Sequence, residues 1–301
     1  KRTRILLFVT ATCIVIYAFL SRYNSFLAVI PIVVLLVSSS NIWGKFRTRY
    51  AIAAILLLVT LSTQPVLKYF VKPTASHPEV AVMLDDIVQV SSSSALKSSP
   101  ISSELTDSLL AVQACTHSKG VLVNNFWVCA TDEHRSNFQL KYPGMMHKIW
   151  FDTITRNKVG HLLYRSEVYM NFLLVPDSVA YVWQDGITTN NLGQQVKFER
   201  LGNMNEIYTK ELGYKYFQFL YEPWFWLLGA ALLFGRSFRL HSYRSHIMAL
   251  SLSSILYLLS FFPTGATPEY RYTYWPALAI TTSMILLLVG RYSPHKKKQE
   301  V

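Results

Sequence analysis

The chain has 301 residues, 51% of them hydrophobic, with 29 Lys and Arg against 17 Asp and Glu and a formal net charge of +12. On a soluble protein that balance would point to nucleic acid. Here the excess sits in four short clusters beside apolar runs: Lys1, Arg2 and Arg4; Lys45, Arg47 and Arg49; Arg236, Arg239 and Arg244; and Arg291 with Lys296, Lys297 and Lys298. Such clusters mark the cytoplasmic ends of membrane helices, so lipid is the expected environment and no nucleic-acid partner is expected.

Taken in chain order, six apolar runs read as membrane spans, at about 5–19, 26–40, 51–70, 219–234, 247–262 and 274–289. With flanking residues, each approaches the roughly 17–25 residues that cross the hydrocarbon layer. Pro31 interrupts the second. The link after span one holds only Arg22, whereas the links after spans two and four, and both ends of the chain, are basic. This alternation puts both termini in the cytoplasm and segment 71–215 outside it. That segment carries 13 bases and 14 acids, so it is nearly neutral, as an outside segment should be. The predicted fold is an α-helical polytopic membrane protein of about six transmembrane helices. A mainly helical extracytoplasmic domain is inserted between spans three and four. The divisions are 1–70 for three spans, 71–218 for the outside domain, and 219–301 for three more spans with a basic cytoplasmic tail.

Within the outside domain, the Ser/Pro-rich stretch 91–103 reads as a loop. Ser102 or Ser103 can cap a helix running to about Cys115, with Glu104 and Asp107 near its positive end. Gly120 breaks the chain, and 121–129 has strand character. Pro143-Gly144 and Asp185-Gly186 are turns. Helices follow over about 146–155 and 159–174, stopped by Pro176. A helix over 203–221 leads into span four, bent by Pro223. Cys115 and Cys129 share an oxidising side and are expected to form a disulfide; Cys13, in span one, is a packing residue. The cysteines and histidines lack the spacing of a zinc site. His77, His117, His134, His147 and His161 read as surface or structural groups.

Three places can carry chemistry. Val80-Ala81-Val82-Met83-Leu84-Asp85-Asp86-Ile87 is an apolar stretch ending in two acids, which could serve as a base or as cation ligands, or face water at a helix end. Thr267-Pro268-Glu269-Tyr270-Arg271-Tyr272-Thr273-Tyr274-Trp275-Pro276 lies at the outer mouth of span six. An Arg among aromatics there can clamp a phosphate; the aromatics also suit an ordinary interfacial belt. In His161-Leu162-Leu163-Tyr164-Arg165-Ser166-Glu167-Val168-Tyr169, Arg165 could support the acids, bind substrate, or pair with an acid on a solvated helix.

The acid after span three, the Tyr164-Arg165 helix and above all Glu269-Tyr270-Arg271-Tyr272-Thr273-Tyr274-Trp275 resemble the carboxyl-terminal half of polytopic bacterial envelope proteins. Those carry an acid, an aromatic and Arg-Tyr-x-Tyr-Trp before their last span. Their architecture is similar to that of GT-C glycosyltransferases, including phage-encoded serotype-converting O-antigen glucosyltransferases. The resemblance implies a multi-pass enzyme of the bacterial inner membrane that moves a sugar from a polyprenyl-phosphate donor onto an envelope glycan such as O-antigen. Asp85 or Asp86 would deprotonate the acceptor hydroxyl. Arg271, with Glu269, Tyr270, Tyr272 and Arg165, would hold substrate and phosphate, with a divalent cation as a further means of stabilising the leaving group. Such enzymes carry their catalytic acid in a long loop after the first span. Here that link is 21–25 and has no acid, so either the loop precedes Lys1 or Asp85 and Asp86 take its role. The alternative is a non-enzymatic membrane protein whose outside domain binds a partner. A transporter fits least, because ionisable residues are almost absent from the spans.

Overall fold

The computed structural model describes residues 2–21, 26–39, 46–71, 77–174, 186–187, 196–197, 215–265 and 272–292. The architecture is nearly all helical. In order the elements are α1 (Arg2–Ser21), α2 (Phe26–Ser39), α3 (Phe46–Val71), α4 (Glu79–Val90), α5 (Ser93–Lys97), α6 (Ser103–Lys119), α7 (Asn125–Val128) and α8 (Asp132–Ser136), the last continuing into a π turn. Then come α9 (Pro143–Arg156), α10 (Lys158–Leu174), β1 (Gly186–Ile187), β2 (Val196–Lys197), α11 (Lys215–Phe217), α12 (Pro223–Ser237), α13 (Arg244–Leu259), α14 (Phe261–Thr264) and α15 (Tyr274–Tyr292). The two short strands pair antiparallel, Gly186 opposite Lys197.

The chain divides into two compact units. The first comprises Lys1–Lys72, Leu174–Ser260 and Glu269–Val301. Two of its packing seams are visible in the buried groups. Val15, Val29, Val33, Val37 and Ala53 join α1, α2 and α3. On α13, Ser251, Ser253 and Ser254 are buried; Ser253 Oγ donates to the Ala28 carbonyl at 2.6 Å and accepts from Trp275 Nε1 at 3.0 Å. Small hydroxyl residues let helices approach closely and cross-link them. Two helices, Arg244–Thr264 (21 residues) and Tyr274–Arg291 (18 residues), are long and apolar enough to cross a membrane. Phe8–Tyr17, Phe26–Ser38 and Ala51–Thr63 are apolar but shorter among the described residues. Two of the six expected spans therefore meet the requirement in full. The fourth falls short because Pro223 opens α12 and Arg236 stands in its last turn, bounding it at 15 residues.

The second unit comprises Pro73–Leu173 and Phe261–Pro268. It is shorter than the 71–218 segment and takes in residues from beyond α13. Its core is built around α4, whose Val80, Leu84, Ile87 and Val88 pack with Leu105, Leu109 and Val112 of α6 and with Met146 and Ile149 of α9. A helix apolar nearly all round belongs inside. α6 starts where Ser102 accepts a hydrogen bond from the Leu105 amide, and stops where Gly120 adopts φ +61°. That left-handed cap suits glycine, which has no Cβ to clash. Cys115 on α6 and Cys129 after α7 are bonded, with Cα atoms 5.6 Å apart, as expected.

Several local expectations are corrected. Segment 121–129 forms no strand: Asn124 has φ +68°, and α7 follows it. The Ser/Pro stretch holds α5, because Ser92 accepts from the Ala95 amide and starts a helical turn. Pro143 opens α9 rather than making a turn, its fixed φ suiting the first helical position. Before span four there is one turn of helix and a 3₁₀ turn, Gln218–Tyr221; Pro223 begins a new helix instead of bending one. Pro176, Asp185 and residues 203–214 lie outside the described residues.

Candidate functional site

Helix α4 places Asp85 and Asp86 next to each other in sequence, so their side chains leave the helix about 100° apart and meet different partners. Both are buried. Asp85 is taken by the chain that follows α6. Its Oδ2 accepts from the Asn124 amide at 3.1 Å; its Oδ1 accepts from the Asn125 amide and from Asn125 Nδ2, both at 2.9 Å. The Asn125 side-chain oxygen in turn accepts from Thr116 Oγ1 at 2.6 Å. Burial pushes the Asp85 carboxyl up to about 6, although Asn125, Asn124 and the more distant Arg165 charge all pull the other way. Asp85 thus organises the turn into α7.

Asp86 faces α9 and α10. Its Oδ2 accepts from Trp150 Nε1 and from Arg165 Nη2, each at 2.6 Å, and its Oδ1 lies 3.4 Å from His161 Nε2. The Asp86 and Arg165 side chains are 0% and 2% exposed, whereas His161 is 21% exposed. His161, Arg165 and Tyr169 recur every four residues on α10 and so form one strip. Along it, Asp86 Oδ1, His161 Nε2, Arg165 Nε and Tyr169 Oη are buried with no hydrogen-bond partner among the described residues. Of these, Asp86 Oδ1 and His161 Nε2 face each other, 3.4 Å apart. Tyr164, on the neighbouring face, donates to the Leu122 carbonyl at 2.9 Å; burial, followed by the Asp85 charge, raises its phenol. Burial also raises Tyr169.

The guanidinium meets a third segment. A Cβ built on Gly265 would sit well inside contact distance of Arg165 Nη1, and Gly265 has φ +56°. Only glycine accommodates both conditions. Phe261 and Phe262 of α14 hold this turn in place, packing on Phe172 (5.1 Å between ring centroids) and Tyr169 (5.6 Å).

The structure therefore brings together Asp85, Asp86 and Arg165. Tyr272 is half-buried in the first unit, beside the buried Thr273. Glu269, Tyr270 and Arg271 lie outside the described residues. No group of three or more His, Cys, Asp or Glu side chains is arranged to hold a metal ion among the described residues. Sequence reasoning read His161 as a surface or structural group and did not single out Trp150 or Gly265. The four-residue spacing of His161 and Arg165 was the available signal for the first; nothing local marked the other two. No family model matches this chain, and neither does any curated protein or solved structure.

Proposed function

We propose that this chain is a membrane glycosyltransferase, or the carboxyl-terminal half of one, that moves a sugar from a polyprenyl-phosphate donor to an envelope glycan such as O-antigen. It would act at the outer face of the bacterial inner membrane, with about six spans and both termini cytoplasmic. One observation carries the reading. The Asp85-Asp86 stretch and the Tyr164-Arg165 helix, which read separately as chemical in the sequence, meet in the buried Asp86–Arg165 ion pair, with His161 beside it.

The chemistry follows from exposure. Asp85 and Asp86 are closed off from an acceptor, so the base is His161, with Asp86 behind it to stabilise the imidazolium as it forms. The acceptor hydroxyl gives its proton to His161 and its oxygen bonds to the sugar anomeric carbon. The bond from that carbon to the phosphate oxygen breaks, and the polyprenyl phosphate leaves with the electron pair. Arg271 is the group suited to the growing phosphate charge. Nucleotide sugars are absent outside the cytoplasm, which is why a lipid-linked donor is required. A divalent cation is not needed for this scheme.

The second reading, a non-enzymatic membrane protein whose outside domain binds a partner, draws on the complete burial of Asp86 and Arg165, which suits a purely structural pair. Modification of the envelope glycan in cells separates the two. His161→Gln and Arg271→Ala should each abolish it while the protein still accumulates in the membrane. Full modification by both variants would leave the binding reading.

A further inference from the structure

A groove of about 250 Å³ opens in the second unit between α5, the turn that follows it, and α9. Its floor is apolar, with Leu96 and Ile149 in the core below it. Ser91, Ser92, Ser99 and Thr153 place hydroxyls around it, and Ser91 Oγ and Thr153 Oγ1 are joined at 3.0 Å. Along one rim Lys148, Asp152 and Arg156 follow each other every four residues on α9, so they share a face. Neither base has an ion pair among the described residues. The rim is thus net positive, with a single carboxylate between two free cations.

The groove adjoins the Asp86–His161 pair. Val90, on its wall, is four residues beyond Asp86 on α4; Asn157, on its edge, is four residues before His161. Each offset is one helical turn, about 6 Å. Asn157 ties the two helices at this level: its Oδ1 accepts from the Gly160 amide at 3.0 Å and its Nδ2 donates to the Val90 carbonyl at 3.4 Å.

We infer that this groove is the acceptor subsite and that it takes an anionic sugar residue, one pyranose ring carrying a carboxylate or a phosphate. The volume is below the roughly 300–1,000 Å³ of drug-sized pockets, which suits one ring rather than a chain. The apolar floor takes a C–H face of the ring, and the hydroxyls and Asp152 take its polar edge. Lys148 and Arg156 hold the anion by charge-assisted hydrogen bonds. The acceptor role rests on the glycosyltransferase reading; the binding itself does not.

The test uses the full chain in detergent and three probes, D-glucuronate, D-glucose 6-phosphate and D-glucose, with binding followed by ligand-observed NMR. At least one anionic sugar is expected to bind about tenfold more tightly than glucose, since its anion gains charge-assisted hydrogen bonds that glucose lacks. The preference should vanish in Lys148→Ala/Arg156→Ala, whose exposed positions leave folding intact, and all binding should vanish in Ala95→Trp, which fills the groove. Glucose binding as well as both anions, no probe binding at all, or anion binding that survives the double variant, each overturns the proposal. His161→Gln should bind the anionic sugar normally. If it does so and still transfers sugar, the assignment of His161 as the base fails while the groove stands.

Discussion

Arg165 Nη2 stands 2.6 Å from Asp86 Oδ2, across 79 residues of sequence, with both side chains shut away from water. Taking two charges out of water is costly, and their attraction offsets it only when the geometry is good and the remaining polar atoms are served. Here Trp150 serves one carboxylate oxygen, while among the described residues Asp86 Oδ1 has only its 3.4 Å contact with His161 and Arg165 Nε has no hydrogen-bond partner. The pair is therefore a weak source of net stability and a strong constraint on which surfaces of α4 and α10 can meet.

Removing one partner should be worse than removing both. Asp86→Ala or Arg165→Ala leaves an uncompensated buried charge and is expected to cost about 3–5 kcal/mol. Asp86→Leu/Arg165→Met should recover much of that loss. Thermal unfolding of the full chain with a double-variant cycle measures this. Additive losses would mean that the two groups do not interact energetically.

Gly265→Ala should displace the Arg165 guanidinium and strain a backbone at φ +56°. The expected loss is about 1–3 kcal/mol, together with loss of glycan modification. Wild-type stability and activity in this variant would show that the turn does not hold Arg165.

Asp85 should make stability depend on pH in the acid range. Its carboxyl is pushed up to about 6 in the native state, against about 3.9 for an unfolded aspartate. Between these values the native chain holds a proton that the unfolded chain has lost, so unfolding free energy falls as pH rises. The contribution is fully present below about pH 4 and lost through about pH 6, roughly 3 kcal/mol in all. Asp85→Asn should flatten the slope of melting temperature against pH across that window. An unchanged slope would place the dependence on other groups.

Cys115 and Cys129 are 14 residues apart in sequence. Closing a loop of that size stabilises by about 3 kcal/mol in the chain-entropy account. Cys115→Ser/Cys129→Ser, or reduction, should lower the melting temperature of the second unit accordingly; no change would mean that the bond forms without constraining the unfolded chain.

Membrane topology is open to a direct check. Ser94 and Ser242 are both exposed. On intact cells an impermeant thiol reagent should label Ser94→Cys and leave Ser242→Cys unlabelled. The opposite pattern would reverse the sidedness and remove the functional proposal with it.

The charge clusters, the apolar runs, the cap at Ser102, the stop at Gly120 and the α9–α10 helix pair are all legible in the residues, because each depends on neighbours within a turn or two. The disulfide is legible too, since two cysteines on one oxidising side have few other fates. What decided the fate of Asp85 and Asp86 is not local. An apolar run ending in two acids is compatible with a solvated helix end, and only the arrival of Asn124, Asn125, Trp150 and Arg165 from other segments closes both carboxylates inside. The same holds for segment 121–129, whose strand-forming residues give way because the Asp85 carboxylate accepts the Asn124 and Asn125 amides. Helix period and basic flanks are written into short stretches of chain. The pairing of a buried charge is a matter of which distant surfaces pack together, and that is settled only when the whole unit folds.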